Sequence, residues 1–336
     1  MNSATDIIPK NDETSFDTYE IDSKISKNGE YIKQNVTKKG EKEIKEIKAK
    51  FKLISDLTKE KIKTEDDNSD YQKYFAKIDT KNFKYIGILT NKLKRDGYGL
   101  SIMENEDKYL GQYKNENKEG FGIYKFCQNN EEQEIYIGDY KNNRKSGEGL
   151  YLKIFKSIKN ESNEEIIINF NCGIGEFEDD IFKNGKIFSV IDDVETLYQG
   201  KMNERGFPSD ENALVIEEGN KIFIGKITDG EIIEGKNIFI DEKGEKKKSY
   251  YFNKNNNNKE SPYDFQLNEK EEKDELELKK VKDISFKTYK NNIQNIFRDI
   301  NSTFENFSNF DTAFQYNFEN DIKKKIQNSI NKIIKE

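Results

Sequence analysis

The chain has 336 residues, with 57 Lys and Arg against 64 Asp and Glu, a formal net charge of −7, and no histidine or tryptophan. Without histidine it cannot build a Ser-His-Asp or Cys-His dyad, or a metal site of the HExxH or C2H2 type. Its hydrophobic content is 33% and its charged content 36%, so we do not expect one compact core along the whole chain. The aromatic fraction of 12% favours an extended architecture with a thin core over a disordered chain.

The sequence predicts a cytosolic protein. No run approaches the roughly 18 apolar residues that cross a bilayer, and the first residues lack the basic start and apolar stretch of a signal peptide. Cys127 and Cys172 form neither a CxxC pair nor a disulfide framework, so we expect them to act as small apolar groups. The excess of Asn, Lys and Ile over Ala, Pro and Arg is typical of an AT-rich coding sequence, as in many protists.

Residues 1–80 form a charged N-terminal extension. Within it, apolar residues recur at heptad-like spacing, namely Ile44, Ile47, Phe51, Ile54 and Leu57. This spacing predicts a helix over about 41–63.

Glycine marks the next region, residues 81–252, where the sequence repeats. Nineteen of the 21 glycines lie between Gly87 and Gly244. A pattern Y-x-G-x-Y, a polar turn of about seven residues and then G-x-G-x-Y recurs every 24 to 27 residues in three well-formed units, and three decayed units follow. The repeat-defining residues are Tyr85, Gly87, Gly97, Gly99, Tyr109, Gly111, Tyr113, Gly120, Gly122, Tyr124, Tyr136, Gly138, Tyr140, Gly147, Gly149, Tyr151, Gly175, Tyr198, Gly200, Phe223 and Gly225.

Each unit is predicted to be a β-hairpin, because its apolar residues alternate with period two. Tyr109 and Gly111 share one strand face and Gly122 lies on the same face of the next strand, so the tyrosine ring can lie over the glycines. The opposite face carries an apolar row, namely Leu110, Phe121, Ile123, Ile137, Leu150 and Leu152. Since a lone hairpin is marginally stable in water, we expect the six hairpins to stack edge to edge.

These units resemble the MORN repeat family, whose repeat reads Y-x-G-x-[FY] followed by G-x-G-x-[YF]. Three units from Tyr85 to Tyr151 match well and three more match partially, together about half of the chain. The departures are Pro208 where a glycine is expected, a missing second glycine after Gly185, and an insertion after Tyr151. The resemblance implies a mainly β repeat fold: an elongated single-layer antiparallel sheet of stacked hairpins, flanked by N- and C-terminal α-helical segments.

The C-terminal part is predicted to be an Asn-rich linker, residues 253–263, and a helical docking segment, residues 264–336. Apolar residues from Tyr289 to Ile334 recur in steps of three and four. Because Asp311 can cap a helix, the segment is either one helix or two helices joined near Ser308. The stripe can either pack on the protein's own sheet or dock another subunit. The candidate partner-binding residues are Phe297, Phe304, Phe307, Phe314, Phe318, Ile322 and Ile326.

No motif predicts catalysis, a metal or a cofactor. Gly230 to Lys236 matches GxxxxGK, but Asn237 replaces the Ser or Thr that holds magnesium, and repeat spacing explains both glycines. The acidic clusters lack EF-hand spacing. The lysine runs at 245–249 and 323–325 alternate with acids, so we interpret them as solvated faces and expect no nucleic acid partner.

The resemblance implies a non-enzymatic scaffold subunit that binds other protein subunits of a large cytoskeletal assembly in the cytoplasm. Within that class, a radial-spoke-like complex of the ciliary axoneme is the expectation, and homodimers could also form. The alternative is a membrane-associated MORN scaffold that binds anionic phospholipid at a cell cortex or organelle. Rows of Tyr and Phe on the sheet are candidate partner contacts, or they hold neighbouring hairpins together.

Overall fold

The structure is a computed structural model in which residues 20–25, 31–38, 41–53, 73–79, 83–90, 94–127, 132–217, 220–241, 246–254, 286–309, 312–313 and 317–335 are described. Within these ranges, side chains are described from Lys73 onward, except those of Tyr74, Lys247, Lys248, Tyr250, Ile334 and Lys335. The chain is mostly β-structure, with helices near its C-terminus.

The described ranges contain seventeen strands. They are β1 Glu20–Ile25, β2 Tyr31–Lys38, β3 Glu41–Leu53, β4 Lys73–Asp79, β5 Phe83–Thr90, β6 Arg95–Met103, β7 Lys108–Lys114, β8 Asn117–Phe126, β9 Gln133–Lys141, β10 Arg144–Lys159, β11 Glu165–Glu178, β12 Ile181–Ile191, β13 Val194–Lys201, β14 Asp210–Glu217, β15 Lys221–Thr228, β16 Glu231–Ile240 and β17 Lys246–Asn253.

Each strand pairs antiparallel with the next strand in the chain, from β1 to β17. The result is an open sheet of stacked hairpins, which confirms the predicted elongated β-repeat fold. This topology follows from the sequence where short turns join alternating apolar segments, as between β7 and β8, because such turns leave consecutive strands adjacent.

The helix predicted over about 41–63 is wrong. Residues 41–53 form strand β3, which pairs with β2 and with β4, and residues 54–63 lie outside the described part of the chain. The heptad-like spacing coexists with a period-two pattern from Ala49 to Leu53, where Lys50 and Lys52 alternate with apolar residues. A strand between two partners gains ladder hydrogen bonds on both sides, which overrides the helical pattern. The sheet therefore begins well before residue 81.

The hairpin turns are shorter than the predicted seven residues. Two residues with positive φ join β7 to β8, β9 to β10 and β11 to β12, namely Asn115 and Glu116, Asn142 and Asn143, and Asp179 and Asp180. Asn and Asp tolerate this left-handed backbone, and two such residues in succession match the right-handed twist of the flanking strands.

The repeat glycines form one line across the sheet, which we call the glycine row. Facing residues on consecutive strands β4 to β13 are Ala76, Gly87, Gly99, Gly111, Gly122, Gly138, Gly149, Gly175, Gly185 and Gly200. Further along, Ala213 faces Gly225, which faces Gly235. Row residues lie on one face of the strands and the residues that alternate with them lie on the opposite face, so the two faces contribute to two separate cores.

Three helical elements follow the sheet: α1 at Phe286–Phe307, a π-helical turn at Phe318–Lys323 and α2 at Lys324–Lys335. Of the two alternatives for this segment, one continuous helix or two helices joined near Ser308, the structure has the second, because α1 ends at Phe307. Asp311, the predicted cap, lies outside the described residues. Asn317 instead caps the π-helical turn, with its side chain accepting the Asn320 N–H.

The two cores differ in the elements that contribute to them. The helix-side core combines the predicted apolar row, including Leu110 and Ile137, with the stripe of α1 and α2. The tyrosine core combines Tyr85, Tyr109 and Tyr136 with other apolar residues of the sheet.

Candidate functional surfaces: the tyrosine row, the buried cations and the helical segment

The tyrosine rings lie over the glycine row, as the strand pattern predicts. A Cβ added to Gly122 would lie 2.5 Å from Cε2 of Tyr109, and one added to Gly149 would lie 2.7 Å from Oη of Tyr136. Tyr109 and Tyr136 are fully buried. Glycine is therefore required at these positions because the neighbouring ring occupies the space of a side chain.

Each of these tyrosines also satisfies a backbone carbonyl three residues ahead. Tyr85 donates to the Ile88 carbonyl at 2.9 Å, and Tyr109 donates to the Gln112 carbonyl at 3.0 Å. The strand register shifts at these points, between Gly87 and Leu89 and again just after Gly111. The ring thus covers the glycine while its hydroxyl bonds to a carbonyl at the irregular part of the ladder.

A row of buried cations fills the tyrosine core, and the sequence analysis missed it. Lys118 Nζ lies 4.6 Å from the ring centroid of Tyr124 and 5.2 Å from that of Tyr140. Arg95 stacks over Tyr113 with Cζ at 4.6 Å from the centroid. These geometries are cation–π contacts, which gain strength where water is excluded.

Lys145 is the third cation of this row. Its side chain is fully buried, with Nζ 5.5 Å from the ring centroids of Phe126 and Tyr136. The signal in the sequence is positional: a basic residue lies two positions before each G-x-G of the three well-formed units, at Arg95, Lys118 and Lys145. Composition concealed it, since lysine is abundant throughout the chain.

The backbone of each cationic residue is clasped by the turn of the next hairpin. Asn143 donates its backbone N–H to the Lys118 carbonyl at 3.0 Å, and its Oδ1 accepts the Lys118 N–H at 2.7 Å. Asp180 does the same for Lys145, at 3.1 and 2.8 Å. We call this two-bond arrangement the turn clasp, and it locks each hairpin to its neighbour.

The first clasp carries a charge pair. Glu116 donates its N–H to the Arg95 carbonyl at 2.9 Å, accepts the Arg95 N–H, and accepts from Arg95 Nε at 2.8 Å. Burial alone lowers the pKa of Arg95, but the nearby oxygens of Tyr113 and Glu116 outweigh it and leave that pKa raised. The guanidinium therefore stays charged inside the tyrosine core.

The decayed units keep the row but lose the surrounding motif. Gly185 faces both Gly175 and Gly200, so it occupies the second position of G-x-G, and the missing glycine is the first. Residues 203–207 and Ser209 belong to a longer connection, in which Pro208 forms a bridge with Met202. Ala213 takes the row position that Pro208 was expected to mark. A buried alanine is small enough for this row position, but an alanine in the sequence does not indicate that the position belongs to the glycine row.

The candidate partner-binding residues of the helical segment are core residues in this structure. Phe297, Phe304, Phe307, Phe318, Ile322 and Ile326 are each at most 4% exposed, and Phe314 lies outside the described residues. The Phe318 ring stacks on Tyr98 with centroids 5.4 Å apart. Of the two alternatives, the stripe packs on the protein's own sheet, because the sheet presents an apolar face of matching length.

Polar contacts fix α1 on the sheet as well. Gln294 accepts the Ile167 N–H at 2.9 Å and donates to the Glu165 carbonyl at 2.7 Å, as a neighbouring strand would do. Lys125 donates to Asn301 at 2.8 Å. The helix is therefore held in register by hydrogen bonds at the edge of β11 in addition to its apolar stripe.

The GxxxxGK match belongs to the repeat. Residues Glu231–Ile240 form β16, Gly230 lies in the preceding turn with φ +82°, and Gly235 is a row residue. Two of the three lysines at 323–325 form ion pairs: Lys323 Nζ lies 3.3 Å from Glu319, and Lys325 Nζ lies 2.9 Å from Asp299 on α1. Cys172 is buried and Cys127 is exposed.

Among the described residues, no group of His, Cys, Asp and Glu side chains is arranged to hold a metal ion. No helix in the described part of the chain is long and apolar enough to cross a membrane. Comparison with protein-family models finds no match, and comparison with curated proteins finds none either. The repeated β-hairpin architecture is nevertheless consistent with a MORN-like repeat scaffold.

Proposed function

We propose that the protein is a non-catalytic structural subunit that holds partner proteins at fixed positions in a large cytoskeletal assembly. The observation that best supports this proposal is the packing around the glycine row. Rings lie over its glycines, and buried cations contact the rings of neighbouring hairpins. Aromatic and cationic side chains of the three well-formed units are used in this packing, which makes the sheet a stiff plate. At about 4.8 Å between strands, β4 to β17 span about 60 Å.

Stiffness supports this role because the connections at Arg95, Lys118 and Lys145 are each reinforced twice. Strand pairing joins β8 to β9, and the turn clasp between Lys118 and Asn143 joins the same units at their ends. The helices then cover one sheet face and tie it across several strands. A spacer of this kind keeps the distance between two bound partners constant.

The resemblance to MORN repeats narrows the proposal to cytoskeletal scaffolds, and within them to a radial-spoke-like complex of the axoneme. We expect the partners to be protein subunits that contact surfaces other than the buried tyrosine and phenylalanine rows. Homodimerisation would need such a surface too. Neither a cofactor nor a nucleic acid is part of the proposal.

The test is made in cells of the organism whose genome encodes the protein. A tagged full-length chain should remain with the cytoskeleton after detergent extraction, and cilia that lack the protein should lose a discrete density in cryo-electron tomography. An unchanged axoneme would contradict the axonemal assignment. Release of the chain by detergent would contradict the cytoskeletal one.

A vesicle experiment separates the phospholipid alternative. Lys324 and Lys332 are exposed on α2, and lysines on one helix attract anionic lipid at about 1 kcal/mol each. The full chain and a K324Q/K332Q variant are floated with vesicles containing phosphatidylserine. Flotation that salt and the two substitutions abolish would favour the membrane scaffold, whereas no flotation of either protein supports the cytoskeletal one.

A further inference from the structure

Hairpin β10–β11 carries an insertion that extends past the strands on either side of it. The pairing of β10 with β9 ends at Ile154, and that of β11 with β12 begins at Phe170. Residues 155–169 lie beyond both points, and we call them the finger. Within the finger the two strands stay paired as far as Lys159 and Glu165. The insertion therefore adds a surface that the repeat itself does not have.

The two faces of the finger have different surroundings. At its base, Ile154 and Phe170 belong to the helix-side core, and Ile167 packs against that core. Ile158 and Ile166 face each other across the two strands. Because Ile166 is next to Ile167 in β11, this pair lies on the opposite face. Ile158 is 50% exposed and Ile166 is 36% exposed, so the finger presents an apolar pair on the face turned away from the helices.

A second aliphatic pair lies on the same face of the sheet, beside the finger. Val190 belongs to the helix-side core, so its neighbour Ile191 lies on the opposite face. Ile191 is half-buried and faces Val194, which is 43% exposed. Asn169 of the finger joins the two regions, because its side chain donates to Asp192 at 3.1 Å. The name finger patch is used below for Ile158, Ile166, Ile191 and Val194.

The finger patch concentrates exposed apolar surface. In the part of the chain that the structure describes, five large apolar side chains are exposed, and three of them belong to this patch. The other two, Tyr251 and Phe252, are on β17. Contiguous exposed apolar surface is typical of an interaction site, and insertions in repeat proteins often form the binding face.

Charges of opposite sign border the finger patch on its two sides. Lys156 lies on β10, facing Asn169, whereas Asp192 and Asp193 form the turn between β12 and β13. All three charged side chains are exposed. Within the described residues, none of the three belongs to an ion pair. A matching surface therefore needs an acidic group opposite Lys156 and a basic group opposite the two aspartates.

We infer that the finger patch is a contact between two copies of this chain. A two-fold axis parallel to the strands, above the patch, sets the β10 side of each copy against the β12–β13 side of the other. Lys156 of each copy then lies opposite Asp192 and Asp193 of the other copy, and the aliphatic side chains pack together between them. A two-fold axis across the strands would instead bring Lys156 of both copies together. The charges thus select one arrangement, with an apolar centre and a charged rim.

The experiment measures self-association of the full-length chain and its variants by sedimentation velocity. I158T/I166T removes apolar surface but keeps β-branched side chains in the two strands. K159T is the matched control, because Lys159 is an exposed neighbour of Ile158 on the opposite face of β10. Circular dichroism establishes that each variant is folded.

With rising concentration, we expect the unaltered chain to shift from 39.4 kDa towards twice that mass. Hydrogen exchange should slow in residues 156–169 over the same range. I158T/I166T should weaken self-association about tenfold or more, because the buried apolar centre of the contact is lost. K159T should leave it unchanged.

The charged rim gives a second readout that does not depend on the aliphatic side chains. K156E sets a glutamate against the aspartates of the other copy, so it should weaken self-association about threefold or more. D192N/D193N keeps the positive φ of the turn, which asparagine tolerates. In that background K156E should weaken self-association less than it does in the unaltered chain.

Four outcomes would overturn the inference. The unaltered chain could remain at 39.4 kDa at every concentration. The folded I158T/I166T variant could associate as tightly as the unaltered chain, or K159T could weaken association as much as I158T/I166T does. The effect of K156E could be the same with and without D192N/D193N, which decides the matter if I158T/I166T does not fold. None of these outcomes bears on the cytoskeletal assignment, which the cell experiments test separately.

Discussion

Replacing Gly122 by alanine tests the central packing rule of the sheet. The added Cβ would lie 2.5 Å from Cε2 and from Oη of Tyr109 and 2.7 Å from its Cζ, far inside van der Waals contact. The ring cannot move freely, since Tyr109 is fully buried and its hydroxyl donates to the Gln112 carbonyl. Either the ring is displaced and this bond is lost, or the two strands separate locally.

The expected loss of stability follows from three contributions. Overpacking a buried site costs about 1–3 kcal/mol, and breaking the hydrogen bond to a buried carbonyl adds about 1 kcal/mol. Alanine restricts the unfolded chain and returns about 0.4–1 kcal/mol. The net destabilisation of G122A should therefore be about 1–3.6 kcal/mol.

Urea unfolding followed by circular dichroism measures this loss, and Y109A provides the internal control. If ring contact is the cause, the double variant G122A/Y109A should be more stable than the sum of the single losses predicts, by about 1 kcal/mol or more. A G122A protein within about 0.5 kcal/mol of the unaltered chain, which is typical of an inconsequential surface change, would refute the reasoning. Additive losses would refute it equally, because they would place the effect outside the ring.

Three further changes test the clasp, the helices and the buried tyrosines. N143G keeps the positive φ and the backbone bond of the turn clasp but removes the side-chain bond to the Lys118 N–H, so its free energy of unfolding in urea should fall by about 1 kcal/mol. N142G should change it little, and equal losses in the two variants would contradict the role of the clasp. F304A should lower the free energy of unfolding by about 3–5 kcal/mol, because Phe304 is buried in the helix-side core. E305A, at an exposed position, should lower it by less than about 0.5 kcal/mol. Equal effects of the two variants would show that α1 is not part of the core. Burial raises the pKa of Tyr85. Its protonated hydroxyl therefore stabilises the fold below pH about 10, and this stabilisation is lost as the pH rises above that value. A melting temperature that does not fall above pH about 10 would contradict this.

The hairpin stack was predictable because its signal is local. Period-two alternation and recurring glycines determine which residues share a face, and the rings over Gly111 and Gly122 follow from that placement alone. The second core also follows, because Leu110 and Ile137 alternate with those residues on the same strands. Register across six units needs only this pattern to repeat, since a slip of one residue would place every apolar side chain on the wrong face.

The features that the sequence concealed depend on contacts between units. A basic residue such as Lys118 looks like any solvated lysine until the rings of two neighbouring hairpins surround it. Ala213 marks the row only through its facing Gly225. The sequence of β3 fits both a helical and a strand pattern. Pairing with β4 favours the strand, and β4 lies too far along the chain to be recognised from the local sequence.

Hairpin β10–β11 shows that the strands of a unit can differ in length beyond the glycine row. Its pairing with β9 ends at Ile154 and that of β12 begins at Phe170, so residues 155–169 extend beyond both neighbours as a two-stranded finger. A finger of this length would be marginal alone, and Gln294 stabilises it by occupying hydrogen-bonding groups at the edge of β11. Because each unit contacts only its neighbours and the row fixes their alignment, an insertion beyond the row alters the outline of the sheet without disturbing its packing.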